Sequence, residues 1–138
     1  IPEIRLCDGV HEILTRYHKN KVLAVASSSH KREILAILQA NQLAEYFSEV
    51  IGGDMVEKKK PDPEIYLWVQ SLLDVAPEDC IAFEDSASGL IAAKNAGMYG
   101  IAIPNEFTRN HDFGRADCIL DTLAEVNDEL LQQIESDS

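Results

Sequence analysis

Apolar positions along this chain follow two alternating periods. Over residues 9–19, Val10, Ile13, Leu14 and Tyr17 recur at helical spacing, with Asp8 placed to cap the first turn. Val22, Leu23, Ala24, Val25 and Ala26 then form an unbroken apolar run, the pattern of a strand buried on both faces. Ile34, Ile37 and Leu38 give residues 31–43 a helical stripe, and Glu49, Val50 and Ile51 make a short strand closed by Gly52 and Gly53. Beyond a charged loop, Asp62 is placed to cap a helix with Pro63 at its first position and a stripe of Ile65, Val69, Leu72 and Leu73. Cys80, Ile81, Ala82 and Phe83 read as a further buried strand, followed by a helix over residues 88–96 that Gly97 stops. Residues 100–103 and 118–120 complete the strands. Thr122 and Glu125 spell a capping box for a last helix through Val126, Leu130 and Ile134.

Strands alternating with helices of this length predict βαβ units, hence an α/β fold with a Rossmann-like parallel sheet covered by helices on both faces. At 138 residues the chain suffices for one core, and no repeat, low-complexity tract or linker divides it. Its make-up is that of an ordinary soluble domain, 46% hydrophobic and 26% charged. A net charge of −12 argues against a nucleic-acid groove or an anionic membrane surface as partner. It leaves room for a phosphate held by a few donors and a metal ion. Cys7, Cys80 and Cys118 are widely spaced with no CxxC pair, which argues against a disulfide framework or zinc site and fits a reducing cytoplasm. Cys80 and Cys118 open apolar runs and read as small buried hydrophobes. No signal peptide or apolar run of transmembrane length stands in the sequence.

In parallel α/β sheets ligands sit at the carboxyl ends of the strands, and chemistry-bearing residues cluster there. After the first strand come Ser27, Ser28, Ser29, His30 and Lys31. A hydroxyl followed by backbone N–H groups opening a helix makes a phosphate cradle; the plainer reading is that one serine caps that helix. After the second strand come Lys58, Lys59 and Lys60, with Pro61 and Pro63 stiffening the backbone beyond. Such a triplet is either a solvated loop or the source of one fixed lysine that holds a transferring phosphoryl group. After the third strand come Glu84, Asp85 and Ser86. Oxygen ligands at a strand end suit Mg²⁺, while Asp85 or Ser86 could instead cap the next helix. Together the segments supply anion donors, a cation and metal ligands in chain order, the parts of Mg²⁺-assisted phosphoryl transfer.

At these residues the chain resembles the haloacid dehalogenase (HAD) superfamily, in the branch of β-phosphoglucomutase-like phosphatases. Residues 25–29 look like that family's second motif, residues 60–63 its third, and residues 83–89 its fourth. Residues 96–98, 103–108 and 116–117 look like signatures further downstream. The resemblance implies that Ser27 hydrogen-bonds the phosphoryl group, that Ser28 offers its backbone N–H, and that Lys60 bridges the group and the nucleophile. It implies that Asp85 binds Mg²⁺ and that Glu84 binds it or orients it through water. Ser29, His30 and Lys31 sit where some relatives contact the leaving group.

The family's first motif, an Asp-x-Asp pair on the central first strand, has no match. Asp8 opens a helix, and Asp54 follows Gly52 and Gly53 with no second aspartate two residues on. Residues 1–138 therefore resemble the C-terminal part of a HAD-like core domain, without nucleophile, first strand or cap. The expectation is that these residues do not close a stable sheet by themselves, because the neighbours of the absent strand would carry unpaired edges. A missing N-terminal segment would act in cis or in trans. For the longer parent chain, the resemblance implies a Mg²⁺-dependent phosphatase of a small phosphorylated metabolite, a sugar phosphate above all, working through an aspartyl-phosphate. A sugar-phosphate mutase is an alternative, and so is a truncated non-catalytic domain or one half of a two-chain enzyme.

Overall fold

A computed structural model describes residues 10–136. The chain runs α1 (Val10–Tyr17), β1 (Ala24–Ala26), α2 (Lys31–Ala40), β2 (Glu49–Ile51), α3 (Glu64–Leu73), β3 (Ile81–Glu84), α4 (Ala87–Asn95), β4 (Tyr99–Ala102), β5 (Cys118–Ile119) and α5 (Asp128–Ser136). Every strand pairing is parallel, as the alternation of periods predicts. β1 lies beside β2, with Ala24 opposite Glu49 and Ala26 opposite Ile51. β3, β4 and β5 pair in that order in a second sheet.

Strand residues alternate between two apolar layers because successive side chains point to opposite faces. On one face, Ala24, Ala26, Ile51 and Ala82 pack against Ile65, Tyr66 and Val69 of α3 and Ala92 and Ala93 of α4. This core draws on both sheets and ties them together. On the other face, Val25 and Val50 meet Leu14 of α1 with Ile34 and Leu38 of α2. There Ile81 and Ile101 meet Tyr17 of α1 with Leu131 and Ile134 of α5. Helix α1 thus spans both clusters.

β1 and β3 stand on either side of a cavity of about 890 Å³ whose walls include Leu23, Val25, Ile81, Phe83 and Ile134. Each has one edge without a strand partner among the described residues. The gap falls between the strands that lead into Ser27 and into Glu84, where the resemblance puts the absent first strand.

Helix ends follow local hydrogen bonding, and several differ from the sequence pattern. Helix α2 stops at Ala40, not at residue 43, because Gln42 turns left-handed (φ 59°) and Leu43 N–H reaches back to Leu38 O at 2.7 Å. Helix α3 ends likewise at Asp74 (φ 53°), and α4 at Gly97 (φ 84°), the stop its sequence predicts. Helix α3 begins at Glu64, one residue later than expected, and Asp62 Oδ1 accepts the Glu64 N–H at 3.0 Å. On α3 the buried stripe takes in Tyr66, whereas Leu72 is exposed. Helix α4 begins at Ala87 with Ser86 Oγ accepting the Gly89 N–H. The Thr122 and Glu125 capping box forms, but it caps a single 3₁₀ turn (Leu123–Glu125), and α5 starts at Asp128. There Asn127 Oδ1 accepts the Leu130 N–H at 2.9 Å, doing the capping the sequence pattern gave to Thr122. Val22 is exposed and β1 begins only at Ala24. Cys80 precedes β3, and Cys80 and Cys118 are half-buried free thiols instead of fully buried ones. Asp8 and Cys7 lie outside the described residues. No described helix is long and apolar enough to cross a membrane.

Candidate active site at the carboxyl ends of the strands

The lysine triplet divides. Lys58 and Lys59 are exposed, as a solvated loop predicts, while the Lys60 side chain is only 9% exposed and turns inward. Its peptide bond to Pro61 is cis. Lys60 Nζ donates to Ala26 O at 3.1 Å, at the end of β1, and to Glu84 Oε2 at 2.7 Å, at the end of β3. One ammonium therefore links the carboxyl ends of the strands that border the gap. It also lies over the Tyr66 ring, 5.1 Å from its centroid.

Glu84 is equally confined. The Tyr66 hydroxyl donates to the same Oε2 that pairs with Lys60. Burial raises the Tyr66 phenol well above its ordinary pKa, and the Glu84 charge beside it adds to this, so Tyr66 stays a proton donor. A side chain at Gly89, on the first turn of α4, would collide with the Glu84 carboxylate. Glu84 is thus seated by Lys60, Tyr66 and a position that tolerates no Cβ. In this arrangement its Oε2 faces the lysine and the Tyr66 hydroxyl.

Asp85 points elsewhere. It is exposed, and its Oδ2 accepts Asn105 Nδ2–H at 3.0 Å. Its other oxygen accepts nothing among the described residues, which leaves it available to a cation. No three His, Cys, Asp or Glu side chains gather as a metal cage among the described residues. Mg²⁺ needs only one or two protein carboxylates when phosphate and water complete its shell, and Asp85 fits that limited demand.

The serine turn differs from its simplest reading. No serine caps α2: His30 occupies the cap position without a side-chain hydrogen bond, and Lys31 N–H is taken by Asp54 Oδ1 at 2.8 Å. That bond, above all, lowers the Asp54 pKa. Asp54, a poor nucleophile candidate by sequence, therefore closes the α2 N-terminus from the neighbouring strand end. Its Oδ2 also lies 3.5 Å from His30 Nδ1. Ser27 is half-buried at the end of β1 and its Oγ accepts Ser29 N–H at 3.2 Å. Ser28, Ser29 and His30 are exposed beside it. Lys60 and Glu84 thus meet at the carboxyl ends of β1 and β3, with Ser27 and Asp85 next in chain after those strands. Tyr66, Asp54 and Asn105 were missed as participants; only Asn105 lay within a stretch noted for resemblance.

Residues 2–103 match the family model of haloacid dehalogenase-like hydrolases. The protein CbbY of Cereibacter sphaeroides is 38% identical over 128 residues, which is 90% of this chain and 56% of that protein. A phosphorylated carbohydrates phosphatase of Thermotoga maritima is 45% identical over 97 residues, covering 67% of this chain and 45% of its own. Among solved structures, CbbY from Rhodobacter sphaeroides in complex with phosphate superimposes with a TM-score of 0.84 at 38% identity, over 89% of this chain and 56% of that one. The chain spans about half the length of these relatives. With a family model covering most of the chain, and relatives that share both its sequence and its fold, this chain belongs to the haloacid dehalogenase-like hydrolase family.

Proposed function

We propose that this chain is the anion- and metal-binding part of a Mg²⁺-dependent phosphatase acting on a small phosphorylated metabolite, a sugar phosphate above all. A strand from outside these residues, in cis or in trans, fills the gap between β1 and β3 and brings the nucleophilic aspartate. One observation carries the reading: Lys60 Nζ is held between Ala26 O and Glu84 Oε2, at the mouth of that gap. A lysine fixed there meets both an incoming carboxylate and the phosphoryl group it attacks. Phosphoryl transfer asks the protein mainly for positioning and charge stabilisation.

In this reading the Ser27 hydroxyl and the Ser28 N–H hold phosphoryl oxygens, and Lys60 balances the charge that develops on them. Glu84 and Tyr66 keep the Lys60 side chain in one place. Asp85 would hold Mg²⁺, which when bound neutralises charge on the phosphoryl oxygens. Ser29, His30 and Lys31, on the same rim, face the leaving group. The name of the Thermotoga relative, a phosphatase of phosphorylated carbohydrates, supports a sugar phosphate as substrate class. The free thiols and the net charge of −12 fit a cytoplasmic protein without nucleic-acid or membrane partners.

The test is phosphate release by the intact protein from a panel of sugar monophosphates. Mg²⁺-dependent release is expected, with kcat lowered about a hundredfold or more in Lys60→Met. Isomerisation without net phosphate release would replace the phosphatase with a mutase. No turnover and no Mg²⁺ dependence across the panel would leave a non-catalytic domain.

A further inference from the structure

The loop after β4 is fastened to the acidic turn after β3 at successive points. Ile103 N–H donates to Glu84 O at 2.8 Å, Asn105 Nδ2–H to Asp85 Oδ2 at 3.0 Å, and Ala87 N–H to His111 Nδ1 at 3.2 Å. The central tie is directional because the other end of the Asn105 amide is already committed. Asn105 Oδ1 accepts Phe107 N–H at 2.8 Å, Thr108 N–H at 3.1 Å and the Thr108 hydroxyl at 3.2 Å. Asn105 N–H in turn donates to Thr108 Oγ1 at 2.9 Å. With its oxygen surrounded by donors, the amide must present its NH₂ to the carboxylate; a flipped amide would lose these bonds and set oxygen against oxygen.

From this geometry we infer that Asn105 is a positioning residue for Asp85: it holds Oδ2, fixes the carboxylate's rotation, and leaves Oδ1 presented to a divalent cation. The inference rests on the reading of Asp85 as the Mg²⁺ ligand. An exposed aspartate otherwise rotates freely and must be ordered when the cation binds. Locking it beforehand removes that cost, and partners of a ligating carboxylate commonly set metal affinity in this way. The 105–108 turn is the brace, and Asn105 is where it touches the ligand.

The experiment is calorimetric titration of Mg²⁺ into the intact protein and into Asn105→Ala, Asn105→Ser and Asp85→Asn, with metal-free melting temperatures measured alongside. Asn105→Ser keeps an oxygen to accept the turn's N–H groups but cannot reach Asp85, so it separates the turn from the tie. Both Asn105 variants should raise the Mg²⁺ Kd by about tenfold or more. The Asn105→Ser protein should keep the wild-type metal-free melting temperature, and in all active variants the rate should recover as Mg²⁺ is raised. Unchanged Mg²⁺ affinity in both Asn105 variants overturns the inference. So does an affinity loss that only tracks a lower metal-free melting temperature. If Asp85→Asn loses Mg²⁺ while the Asn105 variants bind normally, the metal reading stands and this inference alone falls. If Asp85→Asn binds Mg²⁺ as the wild type does, the metal reading itself fails and takes the inference with it.

Discussion

Gly89 shows how a single missing methyl shapes the site. The Glu84 carboxylate occupies the space a Cβ would fill at that position, and there it meets both Lys60 and Tyr66. Gly89→Ala is therefore expected to push Glu84 off Lys60. Misplacing a charge-stabilising group by this much costs on the order of a hundredfold in kcat. Crowding next to a well-packed helix start costs about 1–3 kcal/mol of stability. Kinetics and chemical denaturation of the variant check both, and an alanine variant unchanged in either contradicts the packing argument. Sequence pointed to Ser27, Lys60, Glu84 and Asp85 as candidates because each follows a strand in the chain, on the side where this fold class puts ligands. It could not supply Tyr66, which stands outside the apolar stripe the sequence gives this helix until α3 turns it beneath Lys60. Nor could it supply Asp54, which acts on a helix end 23 residues away in the chain.

Among the elements, the β4–β5 pair shows how an exposed-looking acid can be structural. Asp117 Oδ2 accepts Gly100 N–H at 2.8 Å and Lys94 Nζ–H at 2.6 Å, while Asp117 N–H donates to Gly100 O at 2.9 Å. Burial by itself would raise the Asp117 pKa, but the Gly100 N–H and the Lys94 ammonium outweigh it, and the net shift is downward. A lowered value in the folded state means the carboxylate's contribution is complete above about pH 4 and is lost as pH falls through the folded value. Asp117→Asn should cost about 1–2 kcal/mol at neutral pH. The difference from wild type should shrink as pH drops below about 4, where the wild-type carboxyl also loses its charge. Urea unfolding at both pH values reads this out; a gap that widens in acid contradicts the assignment. Element type and order were legible throughout, because buried parallel strands and amphipathic helices carry distinct periods. Their ends were less so. Gly97 announces a left-handed stop, but Gln42 and Asp74 adopt the same conformation without a glycine, and the hydrogen bonds that set them form only in the folded helix.

On the scale of the whole molecule, the two sheets are joined among the described residues by helices and not by a strand. α3 and α4 share one core across them, and α1 bridges the opposite face. What remains between β1 and β3 is an apolar gap with Lys60 across its mouth. The chain's charge and composition carry no sign of that gap; the absence of an Asp-x-Asp match does. The mechanism proposed for this site has the nucleophile enter on a strand seated there while Ser27 only binds the phosphoryl group. It is tested most directly by acid-quenching the intact protein during turnover of acetyl phosphate, then mapping the phosphorylated residue by mass spectrometry. A hydroxylamine-labile acyl phosphate on an aspartate outside these 138 residues is the expected result. A phosphate ester on Ser27, or an acyl phosphate on Asp54 or Asp85, would contradict it.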